Sequence, residues 1–177
     1  MLIFVETFNN MDYFEFIDLE PYLAQWFVHE NGNTYPIEIK RGSAESDLLQ
    51  FFLQPQPRDP EYRVQIKALP GQVKIKIPWF KYKDIRTYNY LSPAGRSAIH
   101  SCIRNRFKVK LWKDLHTVGN VIQRNDIAIT TWMEAHGIEV DDTNWNTIAK
   151  ILQRCRASYC KDNRLTSHKT SKHKKKQ

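Results

Sequence analysis

The chain has few cysteines and few glycines, and it lacks the motifs that identify the common enzyme classes. Its 177 residues include three cysteines, Cys102, Cys155 and Cys160, an odd number with no Cys-x-x-Cys spacing. That count argues against a disulfide framework or a zinc knuckle. The six glycines form no Gly-x-Gly-x-x-Gly, no phosphate-binding loop and no Gly-x-Ser-x-Gly motif. We therefore predict no cofactor, no metal site and no catalytic residue.

Long apolar runs are also missing. No stretch approaches the about 20 residues that span a bilayer, and Met1–Val5 is too short and lacks the basic leading region of a signal peptide. Met1–Asn10 differs in character from the residues after it, which leaves Met11 as an alternative start. We expect a cytoplasmic protein with reduced thiols and no membrane partner.

Acidic residues become scarce after residue 60. Residues 1–60 contain three basic and ten acidic side chains, a net charge of −7, whereas residues 61–177 contain 24 basic and nine acidic ones, a net charge of +15. Concentrated positive charge favours a nucleic-acid partner, because Lys and Arg release the counterions of a phosphate backbone. We predict binding to double-stranded DNA, with a homodimer or a protein partner as alternatives.

Hydrophobic residues make up 41% of the chain, enough for a core, and their spacing predicts an α+β fold that is mainly helical. Residues 1–60 are expected to form an acidic N-terminal portion with two short helices and a strand at Tyr35–Lys40. Residues 61–164 combine a basic β-ribbon with helices, and residues 165–177 are predicted to be a disordered Lys-rich tail. We expect one compact unit.

Alternating apolar residues predict the ribbon as two strands, Arg63–Ala68 and Val73–Ile77. Three helices follow, over Ser92–His116, Val121–His136 and Thr143–Arg164. We expect the ribbon to pack on a bundle of these three C-terminal helices. The exposed face of the ribbon would present Lys67, Lys74 and Lys76 to DNA.

A basic stripe follows one side of the first of these helices, since Arg96, His100, Arg104 and Lys108 recur every four residues. Like charges at this spacing repel one another, so an anionic partner would stabilise them. We predict phosphate contacts from Arg96, Arg104 and Lys108. The alternative is that acidic neighbours from the first 60 residues neutralise the stripe.

The last two predicted helices, with a glycine-containing connection at residues 137–142, resemble a helix-turn-helix. The alternative is a plain helical hairpin with a solvated basic face. Residues Trp132–Arg156 also resemble small proteins of bacterial mobile elements. We predict a DNA-binding accessory or regulatory protein, and the resemblance implies a mobile-element origin for it. The outer face of the last helix carries side-chain types that contact base edges and phosphates, namely Asn146, Lys150, Gln153, Arg154 and Lys161.

Trp79–Tyr90 interleaves aromatic residues with Lys81, Lys83 and Arg86. This pattern is typical of single-strand binding, in which rings stack on bases while cations hold phosphates. The alternative is a strand or loop whose aromatic side chains pack in the core.

Pro36–Lys40 contains Glu-x-Lys in a predicted strand and resembles the strand motif of restriction-endonuclease-like nucleases. The resemblance implies that Glu38 binds a divalent metal and that Lys40 assists attack by water. Period two places both on one face, and Glu20 could match the family's helical glutamate. The family's aspartate on a preceding strand is missing, because we expect Asp18 at a helix start. Nuclease activity and a non-catalytic protein-interaction module are the alternative functions.

Overall fold

The protein has an α+β fold, as predicted. The computed structural model describes residues 13–58, 67–69, 71–116 and 125–173. Its strands are β1 (Phe14–Asp18), β2 (Ile37–Glu38), β3 (Leu53–Pro55), β4 (Gln72–Lys76) and β5 (Tyr88–Leu91). Its helices are α1 (Pro21–Glu30), α2 (Ala44–Phe52), α3 (Pro93–Leu115), α4 (Asn125–Ala135) and α5 (Asp142–His173). Within these residues, no helix is both long and apolar enough to cross a membrane.

The chain divides into two compact units. The first contains residues 1–19 and 31–101, and the second contains residues 20–30 and 102–177. The change in net charge after residue 60 therefore falls inside the first unit. The division of the chain into segments 1–60, 61–164 and 165–177 stays a prediction.

A three-stranded sheet in the order β1–β4–β2 organises the first unit. β1 runs antiparallel to β4, and β2 runs parallel to it. β4 alternates as predicted, since Val73, Ile75 and Ile77 are buried between half-exposed lysines. A second ladder pairs β3 with β5. The helix α2 begins after Ser43, whose hydroxyl accepts the backbone N–H of Ser46 as an N-cap.

The neighbours of β4 differ from the predicted ribbon. Residues 61–66, which carry most of the expected first strand, lie outside the described residues, and residues 67–69 are not in a strand. β4 instead pairs with β1, which the sequence analysis missed, and with β2. β1 lacks a simple alternation because Glu15, Phe16 and Ile17 are buried in succession. The strand predicted at Tyr35–Lys40 shortens to Ile37–Glu38.

Apolar side chains at intervals of three and four residues build the core of the second unit. On α1 these are Tyr22, Leu23, Trp26 and Phe27. On α3, Phe107 is fully buried, and its ring meets those of Tyr22, Trp26 and Trp132 edge to face, at centroid distances of 5.1, 5.3 and 5.6 Å.

Two helix ends differ in how well the sequence predicted them. α4 ends at Ala135, where the N–H of Ile138 bonds to the carbonyl of Met133 and Gly137 has a φ of 67°. Gly137 therefore caps the C-terminus of α4, as the glycine in the predicted connection allows. The predicted end of α5 at Arg164 is wrong, because the helix continues to His173. No glycine or proline follows Gly137, so nothing in the chain interrupts the helix.

Candidate nucleic-acid interface

A groove between α3 and α5 in the second unit gathers three cations. It has a volume of about 220 Å³ and is lined by Arg104, Lys108, Ile151, Arg154, Cys155 and Ser158. We call it the α3–α5 groove. Three of the predicted DNA-binding residues, Arg104, Lys108 and Arg154, thus meet in one place although they lie on two helices.

The helical period explains why these residues line the groove. On α3, Ile103, Phe107 and Leu111 recur every four residues and are fully buried. Arg104 and Lys108 each follow a buried residue by one position, so they lie half-buried at the edge of the apolar stripe. Such side chains rest their apolar stems on the core and present their charged ends to solvent.

An acidic neighbour already engages one of the three cations. The Arg104 Nη1 atom lies 3.7 Å from Glu20 Oε1, and both side chains are well exposed, at 43% and 36%. An exposed pair of this kind contributes only about 0–1 kcal/mol to stability. Among the residues that the structure describes, neither Lys108 nor Arg154 forms an ion pair with a carboxylate. The groove therefore keeps at least two cations for an anionic ligand.

The thiol in the groove is not set up as a nucleophile. Burial raises the pKa of Cys155, and the nearby Lys108 ammonium only partly opposes that effect. The thiol is therefore protonated near neutral pH, whereas reactive cysteines have a lowered pKa. Cys155 lines the groove as a small, weakly polar side chain.

The outer face of α5 is exposed as predicted. Asn144 Nδ2 and its backbone N–H both bond to the carboxylate of Asp141, which caps the helix. Ile148 and Leu152 are buried on the opposite side. The predicted DNA-contacting residues of α5 are all exposed, namely Asn146, Lys150, Gln153, Arg154 and Lys161.

The lysines of the first unit that we predicted to contact DNA form contacts within the protein. Lys76 Nζ lies 3.3 Å from Glu38 Oε1, and Lys74 Nζ lies 3.8 Å above the ring centre of Phe14. Lys67 is exposed and makes a contact of its own. DNA contacts by Lys67, Lys74 and Lys76 stay a prediction.

Arg96 is bound by a buried carboxylate. Its Nη2 atom lies 3.0 Å from Glu15 Oε2, and the backbone N–H of Leu91 donates to Glu15 Oε1 at 2.7 Å. Burial raises the pKa of Glu15, although the Leu91 bond and the charge of Arg96 act in the opposite direction. Acidic neighbours from the first 60 residues were the alternative explanation for the basic stripe. That alternative is confirmed for Arg96 and Arg104.

A second groove, of about 440 Å³, lies at the start of α3 in the first unit. It is lined by Asp18, Pro93, Arg96, Ser97 and His100. A carboxylate lines it, and its arginine is held by Glu15, so its charge is mixed. It suits a phosphate less well than the α3–α5 groove does.

The nuclease-like motif is only partly assembled. Glu38 and Lys40 are both exposed, but Lys40 lies beyond the end of β2 and Glu38 pairs with Lys76. Our placement of Asp18 at a helix start was wrong, because it ends β1. In the β1–β4–β2 sheet, Glu38 lies in the same cross-strand row as Phe14, because both pair with Lys76. Phe14 is four residues from Asp18, roughly 13 Å along β1. The described residues include no group of three side chains able to hold a metal ion.

Two part-buried polar contacts of Asp114, with Trp132 and with His136, carried no signal in the sequence. Asp114 accepts a hydrogen bond from Trp132 Nε1 at 3.0 Å and pairs with Lys110 at 3.1 Å. Partial burial disfavours its charged form, but these two bonds outweigh that effect and lower the pKa of Asp114. His136 stacks on Trp132 and lies 3.6 Å from the same carboxylate.

Compared with known protein-family models, curated proteins and solved structures, the chain matches none of them. The resemblance of Trp132–Arg156 to proteins of bacterial mobile elements therefore stays a hypothesis.

Proposed function

We propose that this protein binds nucleic acid, in the first place double-stranded DNA, through the α3–α5 groove and the adjacent face of α5. The observation that carries the proposal is the convergence of Arg104, Lys108 and Arg154 on one groove. Lys and Arg side chains grouped in this way neutralise neighbouring phosphates and release their counterions. Phosphate contacts of this kind position a protein on DNA without reading its sequence.

Sequence reading is assigned to the exposed face of α5. Asn146, Lys150 and Gln153 are exposed, and amide and ammonium groups of this type bond to base edges in the major groove. Asn146 lies in the second turn of α5, close to the helix N-terminus, which is the part of a recognition helix that meets the bases. The connection from α4 spans residues 136–141, longer than the usual turn of such motifs.

Two finer features belong to the same proposal. Lys161 would add phosphate contacts, and the protein would serve as an accessory or regulatory factor of a mobile element. The protein-interaction alternative is favoured by the ion pairs Glu15–Arg96 and Glu38–Lys76. These pairs show that acidic and basic parts of this chain already bind each other.

The decisive experiment measures binding to a labelled duplex by fluorescence anisotropy between 50 and about 200 mM salt. Lys108→Ala with Arg154→Ala removes two groove cations. We expect about tenfold weaker binding at low salt and a log–log salt slope smaller by about 1.8, since each phosphate contact contributes about 0.9. The pair Lys150→Ala with Arg154→Ala is expected to weaken binding similarly without unfolding the protein.

The matched control is Lys40→Ala with Arg41→Ala, two exposed cations of the first unit. It removes the same charge and leaves the groove intact, so affinity should stay within about twofold if local contacts dominate over net charge. Equal losses of duplex affinity in the groove variant and in the control would contradict the assignment of DNA binding to the α3–α5 groove. Absence of duplex binding by the unmodified protein at 50 mM salt would favour the protein-interaction module instead.

A further inference from the structure

The loop between β4 and β5 exposes its aromatic side chains. We call residues 78–87, together with Tyr88 and Phe51, the aromatic surface of the first unit. Tyr82 is 81% exposed, Phe51 76%, Trp79 38% and Tyr88 36%. Ile85 is the loop's buried hydrophobic residue. The sequence left open whether these rings pack in the core or remain accessible, and for Trp79, Tyr82 and Tyr88 they are accessible.

The loop is held in place by its own polar contacts. The Lys83 ammonium donates to the carbonyl oxygens of Gln50, Phe51 and Leu53, at the C-terminal end of α2. A cation is favourable there because the last carbonyls of a helix lack partners within it. Burial lowers the pKa of Lys83, whereas the surrounding carbonyls favour its protonated form, which has three N–H donors to offer them. Lys83 therefore fixes the loop to α2.

Asp84 organises the next turn of the loop. Its carboxylate accepts the backbone N–H of Arg86 at 3.0 Å, and its carbonyl accepts the N–H groups of Thr87 and Tyr88 at 3.1 and 2.8 Å. With Ile85 buried beside it, this turn has little freedom to move. The exposed rings are consequently displayed by an ordered backbone, and less conformational entropy is lost when a ligand binds.

A cation lies beside each of three rings. The Lys81 ammonium is 5.3 Å from the centre of Tyr82, the Lys83 ammonium is 5.4 Å from Tyr88, and the Arg86 guanidinium carbon is 5.9 Å from Trp79. Lys81 and Arg86 are exposed. A partner that fits this surface has planar apolar faces alternating with negative charges. An unpaired nucleic-acid strand has both, because each base is linked to the next by a phosphate.

We propose that the aromatic surface binds an unpaired segment of nucleic acid, with bases stacked on Trp79 and Tyr82 and phosphates held by Lys81 and Arg86. Stacking of this kind tolerates any sequence, because every base has a π-face. The proposal concerns the first unit and unpaired strands. It therefore stands independently of the groove that we assign to duplex DNA.

The test compares binding of a labelled 15-nucleotide oligo(dT) with that of an abasic oligomer of the same length and phosphate number. We expect the abasic oligomer to bind at least about tenfold more weakly, since stacking supplies a large part of single-strand affinity. Tyr82→Ala should weaken oligo(dT) binding by about tenfold, and Trp79→Ala by a similar factor. Tyr82→Phe keeps the ring and should bind like the unmodified protein.

Leu69→Ala is the matched control, because it truncates another exposed apolar residue of the first unit, 60% accessible. It should leave oligo(dT) affinity unchanged. Equal binding of the abasic oligomer, or unchanged affinity in both ring variants, would overturn the proposal. So would loss of binding to phosphatidylserine vesicles or to a protein partner in the ring variants without any effect on oligo(dT). Lys108→Ala with Arg154→Ala separates the two sites, because it should weaken duplex binding and spare oligo(dT).

Discussion

Replacing Phe107 by leucine should destabilise the second unit by about 2 kcal/mol. The ring is fully buried and meets Tyr22, Trp26 and Trp132 edge to face. Each such pair is worth about 0.5–1.5 kcal/mol beyond the area that it buries. Leucine keeps most of the hydrophobic burial, so the loss comes mainly from three aromatic contacts and a small cavity. For a chain of this length, about 2 kcal/mol corresponds to a fall in Tm of roughly 4–8 °C.

Urea unfolding followed by circular dichroism measures this loss. Val109→Ala is the control on the same helix, since Val109 is 67% exposed, and it should change the free energy of unfolding by less than about 0.5 kcal/mol. A Phe107→Leu protein as stable as the unmodified one would refute the aromatic cluster as the centre of this core. Equal destabilisation by both variants would refute it as well.

Three further predictions concern buried charge and backbone geometry. The folded-state pKa of Glu15 is raised. Its contribution to the free energy of unfolding is therefore present below pH 4.5 and is lost as the pH rises through the folded-state pKa. In urea titrations at several pH values, Glu15→Gln should remove this pH dependence. Asp114 has the opposite sign, since its lowered pKa gives stability above pH 3.8 that is lost on acidification. Asp114→Asn should cost about 1 kcal/mol at pH 7 and flatten the acid limb. Gly137→Ala should lower Tm more than Gly42→Ala does: both have positive φ, but only at Gly137 would a Cβ meet another side chain, 2.8 Å from His29 Cδ2.

Exposure on the helices could be predicted from the sequence because it depends on local spacing. The apolar stripe of α3 and the polar face of α5 both follow the 3.6-residue period. Tyr159 is the exception, since it continues the apolar face of α5 and is 55% exposed. One side of its ring contacts Trp112, at 5.4 Å between centroids. The rest of the ring remains accessible because α5 extends beyond the residues of its apolar face that are buried.

Contacts between distant parts of the chain could not be predicted. Glu15 and Arg96 are 81 residues apart, and Glu38 and Lys76 are 38 apart. Whether a lysine or arginine is available for a ligand depends on which carboxylates the fold brings to it, and spacing along one helix carries no such information. The net charge of residues 61–177 therefore overestimated the number of cations that can contact a ligand.

If DNA binds in the α3–α5 groove, the ion pair between Arg104 and Glu20 changes how many phosphate contacts a salt titration would report. A phosphate that displaces Glu20 from Arg104 exchanges one partner of the arginine for another, and the liberated carboxylate then attracts a cation from solution. This contact would release fewer ions than one made by Lys108. The number of phosphate contacts inferred from the salt dependence of duplex affinity should accordingly be smaller than the number that the protein makes. Glu20→Gln should steepen that salt dependence and increase the duplex affinity.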